Sequence, residues 1–153
     1  MNIPWMYLNK QGATINAVKD FNSMKSIIGN ARAEIVGAEN RMVGVGAVSI
    51  SDMPKGSLNL HSGEDRIVRG MQEIDVINER YGQAKEYMTW FEPAWKSLDA
   101  DERDLLEAFY LTRKDTRTKV IGELAERLCV DTSTVYRMKD RAVSHLSLLL
   151  YGY

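Results

Sequence analysis

One cysteine, two histidines and three prolines in 153 residues exclude several classes of protein at once. Cys129 alone cannot build a disulfide framework, and with His61 and His145 far apart it leaves no Cys/His zinc cluster. No apolar run reaches the roughly 20 residues that span a bilayer, and the Met1 end lacks a basic start followed by an apolar block. A soluble, cytoplasmic setting with no membrane partner is therefore expected. Enzyme signatures are missing as well: no GxGxxG or GxxxxGK loop, no HExxH and no GxSxG. The carboxylates Asp52, Asp65 and Asp75 are not arranged by spacing into a pair, so no enzyme, cofactor or metal is expected. A strong charge of either sign is also lacking, since the net is -1.

What the chain does have is a hydrophobic content of 44% against 27% charged residues, enough for a folded core. Its charges are unevenly spread. Residues 1–96 carry 11 Lys/Arg and 11 Asp/Glu, residues 97–110 carry one base against five acids, and residues 111–153 carry eight bases against five acids. A C-terminal excess of +3 on a neutral protein can form a surface that faces phosphate.

Residues 1–13, with Pro4 and Gly12, read as an irregular lead-in. From Thr14 to about Asn40 the apolar positions Phe21, Met24, Ile28, Ala31, Ile35 and Ala38 step by three and four, the period of a helix with a narrow stripe. The pattern lapses over 41–62, which predicts a flexible loop, with VGVGAVSI as a short-strand possibility. Ser62 and Asp65 have capping-box spacing. Behind them Ile67, Met71, Ile74, Ile77, Tyr81, Ala84, Met88, Phe91 and Trp95 predict a second long helix, which Pro93 should end or kink near Phe91. Two such helices, neither able to bury its stripe alone, predict an antiparallel hairpin over 14–95 that closes on itself or forms a dimer interface. The methionines of the stripe, Met24, Met71 and Met88, read as core filler.

Residues 96–153 predict three shorter helices. Leu98 followed by Asp99-x-x-Glu102 gives a capping box ahead of Leu105, Leu106, Phe109 and Tyr110. The acids of 99–110 read as a solvated helix face. Thr112–Thr118 reads as a polar connector, a helix follows from about Lys119 to Leu128, and a turn at Cys129-Val130-Asp131 leads to a helix from about Thr132 toward Leu149. His145 reads as a surface residue, and the apolar end from Leu146 to Tyr151 as the completion of a small core. Within this stretch Ala125 supplies the small residue that close helix crossing needs. Leu124, Leu128, Val130, Val135 and Met138 face inward, and Asp131 or Thr132 caps the second helix. Thr132, Ser133, Tyr136, Arg137, Asp140 and Arg141 are left outside, groups suited to base edges and phosphates in a major groove. The predicted fold class is all-α.

The segment Leu98–Leu146 resembles region 4 of sigma-70-type factors, a small helix-turn-helix domain. CVDTSTVYRMKDRAVSHL aligns on that family's turn, cap, recognition helix and trailing Ala142/Leu146, and ERDLLEAFYL is similar to the helix that packs against them. A long helical front half with this end resembles the ArpU/RinA-type phage late transcriptional regulators. The resemblance implies base reading by Thr132, Ser133 and Arg137, and backbone contact by Thr134, Tyr136, Lys139 and Arg141. Lys119 is a further phosphate-facing candidate. Two positions depart from the pattern. Cys129 stands where the family carries glycine, which predicts a side chain in left-handed backbone; a redox role for it stays open. Thr132 and Ser133 are neutral where sigma factors carry charge, which points away from promoter -35 recognition.

The function so implied is a sequence-specific double-stranded DNA-binding transcriptional regulator of phage or prophage origin, acting as a homo-oligomer, with a dimer favoured. RNA polymerase is a further candidate partner. The competing readings are a small terminase-like DNA-recognition subunit in phage packaging and a helical adaptor acting on RNA polymerase.

Overall fold

A computed structural model describes residues 8–44 and 60–152, with no strand among them. Among the described residues there are five α-helices: α1 (Lys10–Val43), α2 (Leu60–Ser97), α3 (Ala100–Leu106), α4 (Lys114–Leu128) and α5 (Thr132–Tyr151). A π-helical turn, Glu107–Leu111, continues α3. The all-α expectation holds for the described residues.

Several boundaries differ from those the sequence predicts. The first helix starts at Lys10, inside the expected lead-in, because Asn9 caps it: its side chain accepts the Gly12 N–H at 3.0 Å and its carbonyl accepts from Ala13 at 2.9 Å. Helix α1 also continues past Asn40 to Val43, and α2 is already under way at Leu60. His61 and Ser62 therefore fall within the first turn of α2, not in a loop or at its cap. The rest of the expected loop, including the possible strand after Val43, lies outside the described residues.

Pro93 sits inside α2, which runs on to Ser97. Proline removes one helical hydrogen bond and costs on the order of 3 kcal/mol in a helix interior. Here the residues beyond it, Ala94, Trp95 and Leu98, are all buried, and that burial holds the last turn in place. Ser97 Oγ adds a bond to the Pro93 carbonyl at 2.9 Å.

Compactness divides the chain elsewhere than at the expected boundary near residue 96. One unit comprises the described residues of Met1–Lys25 with Glu86–Tyr153, the other Ser26–Lys85. In the first unit, the N-terminal part of α1 and the C-terminal part of α2 share a core with the three short helices. Ala17, Val18, Phe91, Trp95, Leu98, Leu106, Ala142, Val143 and Leu146 form one buried cluster. Phe91 is its centre, fully buried with Tyr87 stacked at 5.1 Å, Phe21 at 5.5 Å and Trp95 at 5.6 Å. The Tyr87 hydroxyl donates to the Ala17 carbonyl, and burial pushes that phenol well above its usual range, with Asp20 adding to the effect.

A second cluster joins Leu105, Ala108, Phe109, Ile121, Leu124, Ala125 and Val135. The wider π turn allows this double allegiance. Phe109 and Ala108 join Leu105 in this second cluster, while Leu106 and Leu111 serve the first and Tyr110 packs against both. At the far end of α5 the apolar run is only partly used: Leu146 is buried, whereas Leu148 and Leu149 are exposed.

In the Ser26–Lys85 unit, α1 and α2 run in opposite directions side by side, with Arg41 ion-paired to Glu73 and Met42 packed onto Gly70. Gly70 makes that approach possible, since a Cβ there would collide with the Met42 side chain. Ile67 and Met71, expected in the buried stripe, are 45% and 56% exposed.

Phe91→Ala should cost about 3–5 kcal/mol, read by urea unfolding followed through helical circular dichroism. Val68→Ala, at an exposed position, should stay within about 0.5 kcal/mol by the same measurement.

Candidate nucleic-acid interface

The elbow between α4 and α5 is built from backbone conformation first. Cys129 adopts φ 54° and ψ 42°, left-handed, and is the one non-glycine residue with positive φ among those described. This turns the chain back so that Val130 N–H reaches the Ala125 carbonyl at 3.1 Å and Cys129 N–H the Glu126 carbonyl at 3.1 Å. That pair of bonds is the Schellman closure of a helix C-terminus. The expectation of a side chain in left-handed backbone at Cys129 is met. Ala125 is buried at the closure, and Val130 packs against the second core cluster with Leu128 and Met138.

The next helix starts at once. Asp131, with extended backbone, is its cap: Oδ1 accepts the Thr134 N–H at 3.0 Å and Oδ2 accepts the Ser133 hydroxyl at 2.7 Å. Hydrogen bonds from Thr134 and Ser133 pull the Asp131 carboxyl down to about 2 from an ordinary 3.8. Of the two caps the sequence allowed, Asp131 is the one used.

Beyond the cap, α5 sorts its side chains by helical period. Val135 is fully buried. Ser133, Arg137, Asp140 and Arg141 are exposed away from it, Thr132 is exposed at the start of the helix, and neither Arg137 nor Arg141 has an ion pair among the described residues. Tyr136 is divided between the two environments, 49% exposed yet edge-on to Phe109 at 5.0 Å. Lys119 is exposed on α4 and loosely paired with Glu123 at 3.8 Å.

Two expected contact residues are placed otherwise. Thr134 is half-buried at the cap, its N–H committed to Asp131. Lys139 lies back against the core, its side chain only 18% exposed, 2.6 Å from Asp140 Oδ1 and over the Phe109 ring at 5.5 Å. Burial alone would lower its pKa, but Asp140 and Tyr110 outweigh that and raise it. The reason lies in helical angle: Lys139 follows Val135 by four residues and so shares its inward side.

Further exposed groups lie where the residue pattern predicts a connector. Helix α4 begins at Lys114, five residues before the expected start, with Thr116 N–H bonded to the Arg113 carbonyl at 3.2 Å. The segment taken for a connector therefore presents Arg113, Lys114 and Thr116 as exposed groups on the first turn of a helix. Arg117, from the same turn, donates to the Thr112 carbonyl at 3.3 Å. The acids of 99–110 are not merely a solvated face either. Arg127 reaches Asp104 at 2.7 Å and Asp101 at 3.6 Å. Glu102 accepts the Asp99 N–H at 3.0 Å and meets His145 Nδ1 at 2.8 Å, which gives that histidine a partner the sequence did not reveal.

Comparison with family models, curated proteins and solved structures returned no match. The reading of this face rests on its own geometry.

Cys129→Gly should stabilise the protein by about 1 kcal/mol, because glycine adopts φ 54° without a Cβ penalty; urea unfolding measures it. The depressed Asp131 pKa has a signed consequence. The charged cap contributes in full above about pH 4 and loses its contribution as pH falls through about 2. The melting temperature of the native protein should exceed that of Asp131→Asn at pH 5, and the gap should close toward pH 2.

Proposed function

We propose that this chain is a sequence-specific double-stranded DNA-binding protein. On this reading it is a transcriptional regulator of phage or prophage type whose C-terminal part is a sigma-70 region 4-like helix-turn-helix. Helix α5 would enter the major groove with its first turns. The observation that carries this reading is the elbow itself: a left-handed Cys129 and the Asp131 cap set α4 and α5 around Ala125, with Ser133 and Arg137 outward on one face.

The roles follow from placement and chemistry. Arg137, exposed and without an ion pair among the described residues, has the forked donors that suit a guanine edge. Thr132 and Ser133 sit at the start of the helix, where base edges are nearest in this docking mode. Arg141 follows Arg137 by one turn and is suited to phosphate, as is Lys119. Arg113 and Lys114 join this set, their positive charge lying beyond what the sequence reading counted as helix. Lys139, turned inward, is withdrawn from it. The α1–α2 helical pair would supply association, since one small reading helix covers only a few base pairs and gains useful affinity in pairs.

The test is selection of bound duplexes from a random pool, followed by band-shift titration. Arg137→Ala should relax preference at one base position by about 1–3 kcal/mol. Arg141→Ala should weaken all duplexes alike and reduce the salt slope by about one. Lys139→Ala should leave the sequence preference unchanged. No salt-sensitive duplex binding at all would overturn the reading.

A further inference from the structure

The described residues of the Ser26–Lys85 unit bury little large apolar side chain against one another. Among its described residues the buried ones are Ala31, Ala38, Gly70, Ile77 and Ala84, so only one described side chain larger than a methyl is enclosed. The two broad sides of this helix pair differ in chemistry. One carries Asn30, Glu34, Arg41, Glu73 and Arg80, and its Arg41–Glu73 ion pair is satisfied within the chain. The other opens into a groove of about 440 Å³ between Ile28, Ile35 and Val36 of α1 and Tyr81 of α2. Ile67, Met71, Ile74, Asn78 and Tyr81 recur at spacings of four and three, so they form one continuous stripe along that side. Val36, Ile67 and Met71 on it are each close to half exposed.

Two charges on the rim of this groove, Arg32 and Glu39, have no ion pair among the described residues. They stand seven residues apart on α1, two helical turns, with Ile35 and Val36 between them. We infer that this apolar side is a self-association surface whose occupant is a second copy of the chain. The two copies lie face to face with their α1 helices antiparallel, and Arg32 of each meets Glu39 of the partner subunit.

Self-complementarity selects that arrangement. A two-fold axis crossing α1 between Ile35 and Val36 exchanges the levels of Arg32 and Glu39, so both ion pairs form at once around an apolar centre. An axis along the helices does the opposite. The alignment that sets Arg41 beside Glu73 puts Glu39 at the level of Asp75, which would oppose like charges, and leaves Arg32 at the level of Gly82 with no acid to meet. The size fits as well. Residues 26–43 give the face a length of about 27 Å, and two packed helices a width of roughly 20 Å. With side-chain relief this is on the order of the 800 Å² per partner that stable pairs bury.

The inference deepens the proposed function by naming what pairs the reading helices, and to that extent it rests on it. The association is measured without DNA, so either can fail alone. Sedimentation velocity on the full chain at micromolar concentration should give a dimer. Arg32→Glu or Glu39→Arg alone should weaken it at least about tenfold, and the double reversal should restore it to within a few-fold. Val36→Lys should give a monomer of unchanged helicity by circular dichroism. A wild-type monomer, a dimer indifferent to the single reversals, or a double reversal that fails to restore association would each overturn the inference.

Discussion

The left-handed conformation of Cys129 is the constraint from which the C-terminal architecture follows. The last four carbonyls of a helix have no intrahelical partner, and a left-handed residue lets the next two N–H groups satisfy two of them while turning the chain back. With it, Val130 folds back onto the Ala125 carbonyl, the next residue is extended, and Asp131 can open a new helix immediately. The penalty of a Cβ at φ 54° is borne by the surrounding bonds and by the apolar contacts of Val130 and Leu128. Every outward group on α5 owes its direction to this one residue.

A similar economy governs the middle of the first unit. The π-helical turn after α3 lets a short segment serve two cores, with Phe109 in one and Leu106 in the other. Arg127 then fastens α4 to Asp104 and Asp101, and His145 fastens α5 to Glu102. These pairs are partly exposed, so their value lies in fixing position more than in stability.

Much of this was legible from residue pattern. The all-α class follows from unbroken spacings of three and four, and the turn at 129–131 from Ala125, Val130 and Asp131 in their particular order. Legibility failed where a tertiary contact overrode a local rule. Pro93 reads as a stop, yet the burial of Trp95 and Leu98 carries the helix past it. Lys114–Thr118 reads as a connector because it is polar, although polarity only reports exposure. Lys139 reads as a phosphate contact by charge, whereas its angle from Val135 places it inward. The division into compact units had no local signal at all, since it depends on which parts of two long helices meet the C-terminal core.

On the proposed reading, the cap at Asp131 bears on which base edges are read. Ser133 spends its hydroxyl proton on Asp131, and the cap carboxylate stays ionised through the neutral range. What Ser133 offers outward is therefore its lone pairs, an acceptor without a donor. On the proposed reading, a serine locked in this way favours the exocyclic amines of adenine and cytosine and is blind to the carbonyl edges of guanine and thymine. A discriminating polarity is thus written into the helix by the very bond that begins it.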